Sequence, residues 1–346
     1  MAELSSRVYT FDPRPDYPLQ CTVKRHWDPA SPHLVNPDAY TLILSHGTSF
    51  HKEQWEPALD DFYALVRDGH NRLPIRDAWV IECPNHGDSA ELNEKALDWG
   101  YEVTFRWEEY AHMIHLFVHG LGRGVDIDFS KRKLIGVGHS MGAVAFIDAM
   151  SFFPKIKPER LVLIEPMILT KATNSGTQGR FFYNSAKNRR DIWPSKEDAY
   201  TGMKGRPAYK MWDDRVLRIY ANHGLRPLPT STYPDKHEGV TLKCTRQQEL
   251  ATYNDPQASS RIFDFLGHVV KRVPTHLIVG TIDNPALPLI VKDEVIRFAA
   301  GGAQNLVTIG HVERASHLVV QENPTGVARE LYQALTTPLS ATRFKL

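Results

Sequence analysis

The sequence has few cysteines, and this scarcity excludes two classes of protein. Its 346 residues include three cysteines, Cys21, Cys83 and Cys244, which lie far apart in the chain. They form no CxxC pair and no Cys/His pair with metal-binding spacing. An odd number of scattered cysteines argues against a disulfide framework and against a zinc site, so we expect a reducing compartment.

The sequence also lacks an excess of charge and a long apolar run. It has 41 Lys and Arg against 40 Asp and Glu, a formal net charge of +1. This balance gives no reason to expect a nucleic-acid partner. No stretch of 18 or more apolar residues is present, so we expect no membrane span. Residues Met1–Asp16 contain no apolar core typical of a signal peptide.

Short apolar runs that end at turn residues predict the strands of the fold. These runs are Val8–Phe11, Cys21–Val23, Tyr40–Leu44, Ala78–Cys83, Leu134–Val137, Leu161–Ile164, His276–Val279 and Leu306–Ile309. Predicted helices over Phe105–Leu121, Gly142–Phe153 and Val291–Ala300 lie between them. Alternating strands and helices predict an α/β fold with a mostly parallel eight-stranded sheet, whose functional groups gather at the carboxyl ends of the strands.

The segment 167–267 interrupts this alternation and is predicted to be a helical lid, inserted into a core of residues 1–166 and 268–346. Lys171–Arg218 contains eleven Lys and Arg against five Asp and Glu. This excess indicates either a solvated helical face or a collar for an anionic ligand. Aromatic residues of the lid are expected either to line an acyl pocket or to pack in a core. They are Phe181, Phe182, Tyr183, Trp193 and Trp212.

The strongest motif is Gly-His-Ser-Met-Gly at 138–142, which matches the G-x-S-x-G nucleophile elbow. A predicted strand leads into it and a helix-forming run follows it, as the elbow requires. The turn is so tight that small residues are needed two positions before and after the serine. We therefore predict that Ser140 is a nucleophile at a helix N-terminus, where the helix dipole favours developing negative charge.

A serine hydroxyl is a weak nucleophile and needs a general base. His317 lies in Ala-Ser-His-Leu-Val, after the last predicted strand. Of the 16 histidines, it is the one placed where such a base is expected. We predict that His317 is the general base, with a purely structural histidine as the alternative.

Two carboxylates compete to orient this histidine. Asp283 follows the seventh predicted strand, and Glu165 follows the sixth directly. A carboxylate that closes a fully apolar strand is costly unless a partner compensates it. We prefer Glu165 and keep Asp283 as the alternative.

The oxyanion of an acyl-transfer intermediate needs hydrogen-bond donors. The backbone N–H of Met141 is the first candidate. The second is expected in His46-Gly47-Thr48-Ser49, which follows the third predicted strand. Thr48 is our first choice in that loop and Ser49 the second.

Together, these motifs resemble the α/β-hydrolase superfamily over about residues 40–333. The resemblance rests on the elbow, His-Gly at 46–47, Asn-His-Gly-Asp-Ser at 85–89 and Ala-Ser-His-Leu at 315–318. In the turn at 85–89, Asn85 replaces the first glycine that many members have, and we interpret the turn as structural. The resemblance implies the α/β-hydrolase fold and a Ser-His-acid triad.

The lid carries a narrower resemblance, to fungal peroxisomal hydrolases that include toxin-biosynthesis proteins and the acyl-CoA hydrolase of mycophenolic acid biosynthesis. The matching strings are residues 189–195, 209–217 and 223–225. In that acyl-CoA hydrolase the acid follows the sixth strand, as Glu165 does here, although it is Asp there. The group often lacks an acid at the place of Asp283.

That group tends to end in a peroxisomal address. The residues Phe344-Lys345-Leu346 resemble the Ser-Lys-Leu signal except at the first position. The expected location is therefore peroxisomal, with the cytoplasm as the alternative.

The sequence thus predicts a serine hydrolase that cleaves a small-molecule acyl thioester or ester, foremost an acyl-CoA, without a metal or organic cofactor. A carboxylesterase, a lactonase or a C–C bond hydrolase acting on a secondary metabolite would use the same residues. A non-catalytic ligand-binding protein on the same fold is an alternative of another class. Epoxide hydrolases and dehalogenases of this fold use Asp as nucleophile, so Ser140 argues against both. No feature of the sequence predicts an oligomeric state.

Overall fold

The structure is a computed structural model that describes residues 3–174, 177–255, 257–285 and 287–339. Its strands are β1 (Ser5–Phe11), β2 (Cys21–Trp27), β3 (Tyr40–Ser45), β4 (Ile75–Ile81), β5 (Lys133–His139), β6 (Arg160–Ile164), β7 (Ile192–Trp193), β8 (Leu225–Pro227), β9 (Val240–Leu242), β10 (Thr275–Gly280) and β11 (Thr308–Val312). The C-terminal residues Phe344-Lys345-Leu346, on which the predicted location depends, lie outside the described residues.

The α-helices connect these strands and cover them. They are α1 (Glu56–Asp68), α2 (Gly87–Leu92), α3 (Glu94–Gly100), α4 (Trp107–Val118), α5 (Met141–Ala149), α6 (Lys171–Asn174), α7 (Thr177–Asn188), α8 (Lys196–Lys204), α9 (Asp214–His223), α10 (Arg246–Tyr253), α11 (Ala258–Val269), α12 (Leu289–Glu294), α13 (Val319–Glu322) and α14 (Pro324–Thr336). Short 3₁₀ turns lie at Lys52–Trp55, Phe129–Lys131, Pro207–Tyr209 and Ala303–Asn305, and a π turn lies at Val295–Ala299. Among the described helices, none has the length and apolar character needed to cross a bilayer.

Eight strands form one sheet in the order β1-β2-β4-β3-β5-β6-β10-β11. β1 and β2 pair antiparallel, β2 pairs antiparallel with β4, and every other neighbouring pair is parallel. This confirms the predicted mostly parallel eight-stranded sheet. The last strand begins at Thr308, later than predicted. The amide of Leu306 donates to the carbonyl of Ala303 in a 3₁₀ turn and so does not pair with the sheet.

Buried side chains on both faces of the sheet explain why its strands are nearly continuous apolar runs. On β3, Ile43 packs in the cluster that contains α4 and α5, whereas Leu42 and Leu44 pack in the cluster that contains α1 and α14. Successive strand residues point to opposite faces, so both faces need a helical layer. The parallel strands then present their carboxyl ends at one edge of this three-layer core.

After β6 the chain leaves the sheet at Glu165 and returns at Thr275, beside β6. The intervening residues form α6–α11 and a small antiparallel sheet in the order β7-β9-β8. Part of this excursion has its own buried cluster, which includes Trp193, Leu217 and Leu242. The predicted lid lies within it, and its boundaries stay a prediction.

The turn from β5 into α5 is tightly packed. Ser140 has φ 55° and ψ −120°, a conformation that L-residues rarely adopt. A Cβ at Gly138 would lie 2.4 Å from Cα of Ala143, and one at Gly142 would lie 2.6 Å from the carbonyl oxygens of Ser45 and His46. Only glycine therefore fits at positions 138 and 142, two residues before and two residues after Ser140.

We expect Gly138→Ala to destabilise the protein, because its new methyl group would meet backbone atoms that cannot move aside cheaply. The expected loss in free energy of unfolding is about 1–3 kcal/mol, measured by urea titration. Gly100→Ala, at the end of α3, is the matched control, because no atom lies within 4 Å of the added Cβ. Equal stability of the two variants would contradict this account of the turn.

Candidate active site

Three predicted residues meet at the carboxyl end of the sheet. Ser140 follows β5, Glu165 follows β6, and His317 lies between β11 and α13. Oγ of Ser140 lies 3.0 Å from Nε2 of His317, and Nδ1 of His317 lies 3.1 Å from Oε2 of Glu165. All three side chains are buried. A carboxylate only accepts, so it favours the tautomer with the proton on Nδ1 and leaves Nε2 to accept from the serine hydroxyl.

The backbone around these side chains is held in place. Glu165 has φ 45°, in the left-handed region, and its amide donates to the carbonyl of Ile278 at 2.9 Å. The ring of His139, which directly precedes Ser140, bonds through Nε2 to the carbonyl of His317 at 3.0 Å. This bond connects the loop that carries His317 to the elbow. Strained conformations of this kind persist where the surroundings fix them, and they cluster at functional sites.

The second oxygen of Glu165 is occupied by two donors that the sequence did not suggest. Oε1 accepts from the amide of Gly280 and from Nζ of Lys292, each at 2.6 Å. Burial would raise the pKa of Glu165, but the hydrogen bond from His317 and the positive charge of Lys292 outweigh it, so the pKa lies below its usual value. Lys292 is the compensating partner that a carboxylate at the end of an apolar strand requires.

Asp283, the other candidate acid, lies in the cavity wall and makes different contacts. It is exposed, and its Oδ1 accepts from the amides of Asn284 at 3.1 Å and Leu289 at 2.9 Å. Leu289 is the first residue of α12, so this carboxylate satisfies a free amide at the start of that helix. The structure brings Glu165, and not Asp283, to His317.

The predicted oxyanion donors lie beside the nucleophile. Met141 begins α5, and Oγ1 of Thr48 donates to Sδ of Met141 at 3.3 Å. A Cβ at Gly47 would lie 3.1 Å from Cβ of Ser140, so the backbone before Thr48 passes close to the serine. The amide of Ser49 donates to Nε2 of His86 at 2.9 Å. Because that amide is already used, the geometry favours Thr48 over Ser49.

The turn at 84–89 supports this loop. His86 is buried, which holds its pKa well below the usual value and keeps the ring neutral. Nδ1 of His86 bonds to Oδ1 of Asn85 at 2.6 Å, which leaves Nε2 to accept from Ser49. Nδ2 of the Asn85 side chain donates to Oγ1 of Thr252 at 2.9 Å. The replacement of glycine by Asn85 thus has a structural consequence, because Asn85 sets the tautomer of His86.

A cavity of about 520 Å³ opens onto Ser140 and His317. Eight aromatic side chains contribute to its wall: Phe50, Trp107, Phe181, Phe182, Tyr209, Trp212, Tyr220 and Tyr253. Phe182 stacks on Tyr253 with ring centroids 5.5 Å apart and contacts the ring of His317 at 6.0 Å. Arg189 and Glu249 form an ion pair in the same wall, at 2.9 Å.

The sequence left open whether the aromatic residues of the lid line a pocket or pack in a core, and the structure divides them between the two. Phe181, Phe182 and Trp212 line the cavity. Trp193 does not, because it is buried in the lid cluster with Leu217 and Leu242. Tyr183 is also outside the cavity wall that the described residues form. In the described part of the chain, no group of three or more His, Cys, Asp or Glu is arranged to hold a metal ion.

Carboxylates neutralise part of the basic charge of Lys171–Arg218. Ion pairs join Arg189 to Glu249, Lys204 to Asp214, Arg215 to Asp61 and Asp213, and Arg218 to Glu197. Arg206 and Lys210 are exposed and flank Pro207–Tyr209, whose residues line the cavity. These two side chains are therefore candidates for electrostatic attraction of an anionic ligand beside the cavity.

Comparisons with known proteins agree with the fold described above. Residues 42–330 match the alpha/beta hydrolase family. The peroxisomal alpha-beta-hydrolase Lpx1 from Saccharomyces cerevisiae is 22% identical, over 99% of this chain and 92% of that one, with a TM-score of 0.69. A thioesterase domain from the curacin biosynthetic pathway is 16% identical (96% and 99% coverage, TM-score 0.61), as is an esterase of Mycobacterium tuberculosis (92% and 89%, 0.61). A comparison with curated protein sequences finds no match.

Glu165→Ala should reduce kcat/KM far more than Asp283→Ala, because only Glu165 contacts His317. We expect a loss of about 10⁴-fold for Glu165→Ala, as for removal of a triad carboxylate elsewhere. Asp283→Ala should retain most activity, since its carboxylate bonds to backbone amides. Initial rates on an aryl ester, with circular dichroism as a check of folding, measure both. The opposite ranking would refute the assignment of Glu165.

Proposed function

Because the chain belongs to the α/β-hydrolase family, we propose that it hydrolyses acyl thioesters or esters through a covalent intermediate on Ser140. The observation that carries this proposal is the chain of hydrogen bonds from Ser140 through His317 to Glu165, at the base of an aromatic cavity. In this arrangement Oγ of Ser140 lies 3.0 Å from the nitrogen that can accept its proton. Nδ1 of the resulting imidazolium lies 3.1 Å from a carboxylate oxygen.

In the first half of the reaction, Oγ of Ser140 attacks the acyl carbon while Nε2 of His317 takes its proton. Glu165 stabilises the imidazolium. The amides of Met141 and Thr48 donate to the oxyanion. The imidazolium then gives its proton to the departing thiolate or alkoxide, which leaves the acyl group on Ser140.

In the second half, water attacks the acyl carbon and His317 takes a proton from it. The same two amides stabilise the second oxyanion. The bond to Oγ of Ser140 breaks, the serine regains its proton from His317, and a carboxylic acid leaves. The net reaction adds one water, so it needs no oxidant, reductant or organic cofactor.

The finer proposal is that the substrate is an acyl-CoA with an apolar or aromatic acyl group. The aromatic walls suit such a group, and a volume of about 520 Å³ is in the usual range for small-molecule sites. Arg206 and Lys210 would face the anionic leaving group at the mouth. Two of the structural neighbours are described as a thioesterase and an esterase, which supports the reaction class for this proposal.

The direct test is the release of free thiol from a panel of acyl-CoA thioesters, with Ser140→Ala as the control. We expect turnover that vanishes in the variant, because alanine lacks the hydroxyl that His317 would deprotonate. If only aryl esters are cleaved, coenzyme A is refuted and an esterase remains. If neither is cleaved and a fluorophosphonate leaves Ser140 unlabelled, the chain is a ligand-binding protein.

Charge reversal at the cavity mouth tests the leaving group. The double variant Arg206→Glu/Lys210→Glu should raise KM for an acyl-CoA by about 10-fold, since each exposed charge contributes less than about 1 kcal/mol. The N-acetylcysteamine thioester of the same acyl group carries no phosphates, so its KM should not change.

Lys131→Glu/Lys133→Glu is the matched control. Both lysines are exposed, and Lys133 lies at the opposite end of β5 from Ser140, about 20 Å away at the rise of a strand. An equal rise in KM in both double variants would indicate an effect of net charge alone. An unchanged KM in Arg206→Glu/Lys210→Glu would show that these two side chains do not contact the leaving group.

A further inference from the structure

We propose that Lys292 is a positioning residue that reserves one oxygen of Glu165 for His317 and extends the activity of the base to lower pH. This inference rests on the proposed hydrolase function. It also assigns a role to a side chain on α12 that belongs to none of the motifs in the sequence.

Lys292 is bound in a defined geometry. Its side chain is 5% exposed, and Nζ donates to Oε1 of Glu165 at 2.6 Å and to the carbonyl of Gly280 at 3.1 Å. The amide of Gly280 donates to the same Oε1 at 2.6 Å. Lys292 and Gly280 thus occupy one carboxylate oxygen together, and Oε2 is left to accept from His317.

This asymmetry matters because the two oxygens of a carboxylate are chemically equivalent and the terminal torsion of Glu is broad. Glu has one more rotatable bond than Asp, so a glutamate in this position has more freedom to lose. With Oε1 bound by two donors, rotation of the carboxylate would break two hydrogen bonds. Lys292 therefore supplies the restraint that keeps Oε2 in line with Nδ1 of His317.

The position of α12 explains how Lys292 reaches this site. Helix α12 begins at Leu289, whose amide donates to Oδ1 of Asp283 at 2.9 Å. Asp283 follows β10 closely, so this bond holds the start of α12 near the end of that strand. The acid that competed with Glu165 in the sequence thus anchors the helix that presents the partner of Glu165.

A buried ion pair of this kind is weak evidence for a role in stability. Desolvation of two charges costs about as much as their attraction returns, and replacement of both partners by apolar residues is often neutral or stabilising. Removal of one partner alone leaves a buried charge without compensation and is destabilising. A lysine beside Glu165 also offsets its charge, which alters how readily His317 holds a proton.

The sign of this effect follows from the charges. The working base is His317 with Nε2 unprotonated, and activity falls at low pH as the pair of His317 and Glu165 takes up a proton. A cation 2.6 Å from Glu165 opposes that uptake. Without Lys292, the pair would hold its proton to higher pH, so the acidic limb of the pH–rate profile would move upward.

Other ionisable groups face the pair, and they do not reverse this sign. His139, at the end of β5, is buried, which lowers its pKa to about 4 and keeps it neutral above that pH. Glu322, on α13, accepts from the amide and hydroxyl of Ser316. Asp283, after β10, bonds to backbone amides. All three are present in both the wild type and the variants.

The test compares Lys292→Met and Lys292→Gln with Lys292→Arg. The readouts are the rate of fluorophosphonate labelling of Ser140 from pH 4 to 9 and, in parallel, kcat/KM on the best substrate. We expect both neutral variants to move the acidic limb upward by about 1 pH unit, the lower end of the shift that a neighbouring charge produces. Lys292→Arg keeps the charge, so its limb should stay within a few tenths of a unit of the wild type.

Lys24→Met is the matched control. Lys24, on β2, is 13% exposed and pairs with Glu56 at 2.5 Å, and β2 lies three strands from β5 in the sheet. The variant Lys24→Met removes this partly buried ion pair. The acidic limb of its pH–rate profile should therefore not move, even if its melting temperature falls.

A folded neutral variant with an unmoved limb would overturn the inference, and so would an equal shift in Lys24→Met. Two neutral variants of different polarity guard against one that fails to fold. Fluorophosphonate labelling of Ser140 does not depend on the natural substrate. A wild-type protein that is labelled but hydrolyses no ester or thioester would therefore refute only the proposed reaction. Wild type that does not label would refute the activated serine itself.

Discussion

The carboxylate of Glu165 is the point on which the site depends. It is completely buried, and a buried charge is tolerated only when hydrogen bonds and an opposite charge compensate it. The compensation comes from Gly280 at the end of β10, from Lys292 on α12 and from His317 after β11. One side chain after β6 thus fixes the relative positions of three segments that are more than 100 residues away in sequence. Without this shared carboxylate, Nδ1 of His317 would lose its acceptor, and the ring would be held only by Ser140 and by packing.

A second constraint is the close approach of backbones around Ser140. Gly142 packs against the end of β3, and Gly47 packs against Ser140 itself, so the elbow and the loop that carries Thr48 have little freedom to move apart. The bond from Ser49 to His86 then fixes the direction of that loop. The proposed oxyanion donors are therefore held in place without substrate, which is the condition for electrostatic stabilisation of a transition state.

The segment between β6 and β10 is connected to both parts of this site. Phe182 contacts the ring of His317, so a residue of α7 covers part of the proposed base. Glu249 accepts from the hydroxyl of Ser49 and pairs with Arg189. Through these contacts, residues of the excursion touch the base on one side and the oxyanion loop on the other. A change in the position of this segment would alter both the cavity and the residues that act on the acyl carbon.

The sequence by itself determined the sheet and singled out Ser140 and His317 as the proposed nucleophile and base, because these depend on local patterns. Apolar runs that end at turns are set by strand burial, and the glycines around Ser140 are set by one tight turn. The sequence also narrowed the acid to two residues, because both follow strands that end at the same edge. Only the tertiary structure showed which of them contacts His317. It placed Lys292 and Gly280 on Glu165 and turned Asp283 to the start of α12, and it put Trp193 in a cluster away from the cavity. These outcomes depend on contacts between residues far apart in the chain, and the energy of a buried charge is set by such neighbours and not by the residues next to it in sequence.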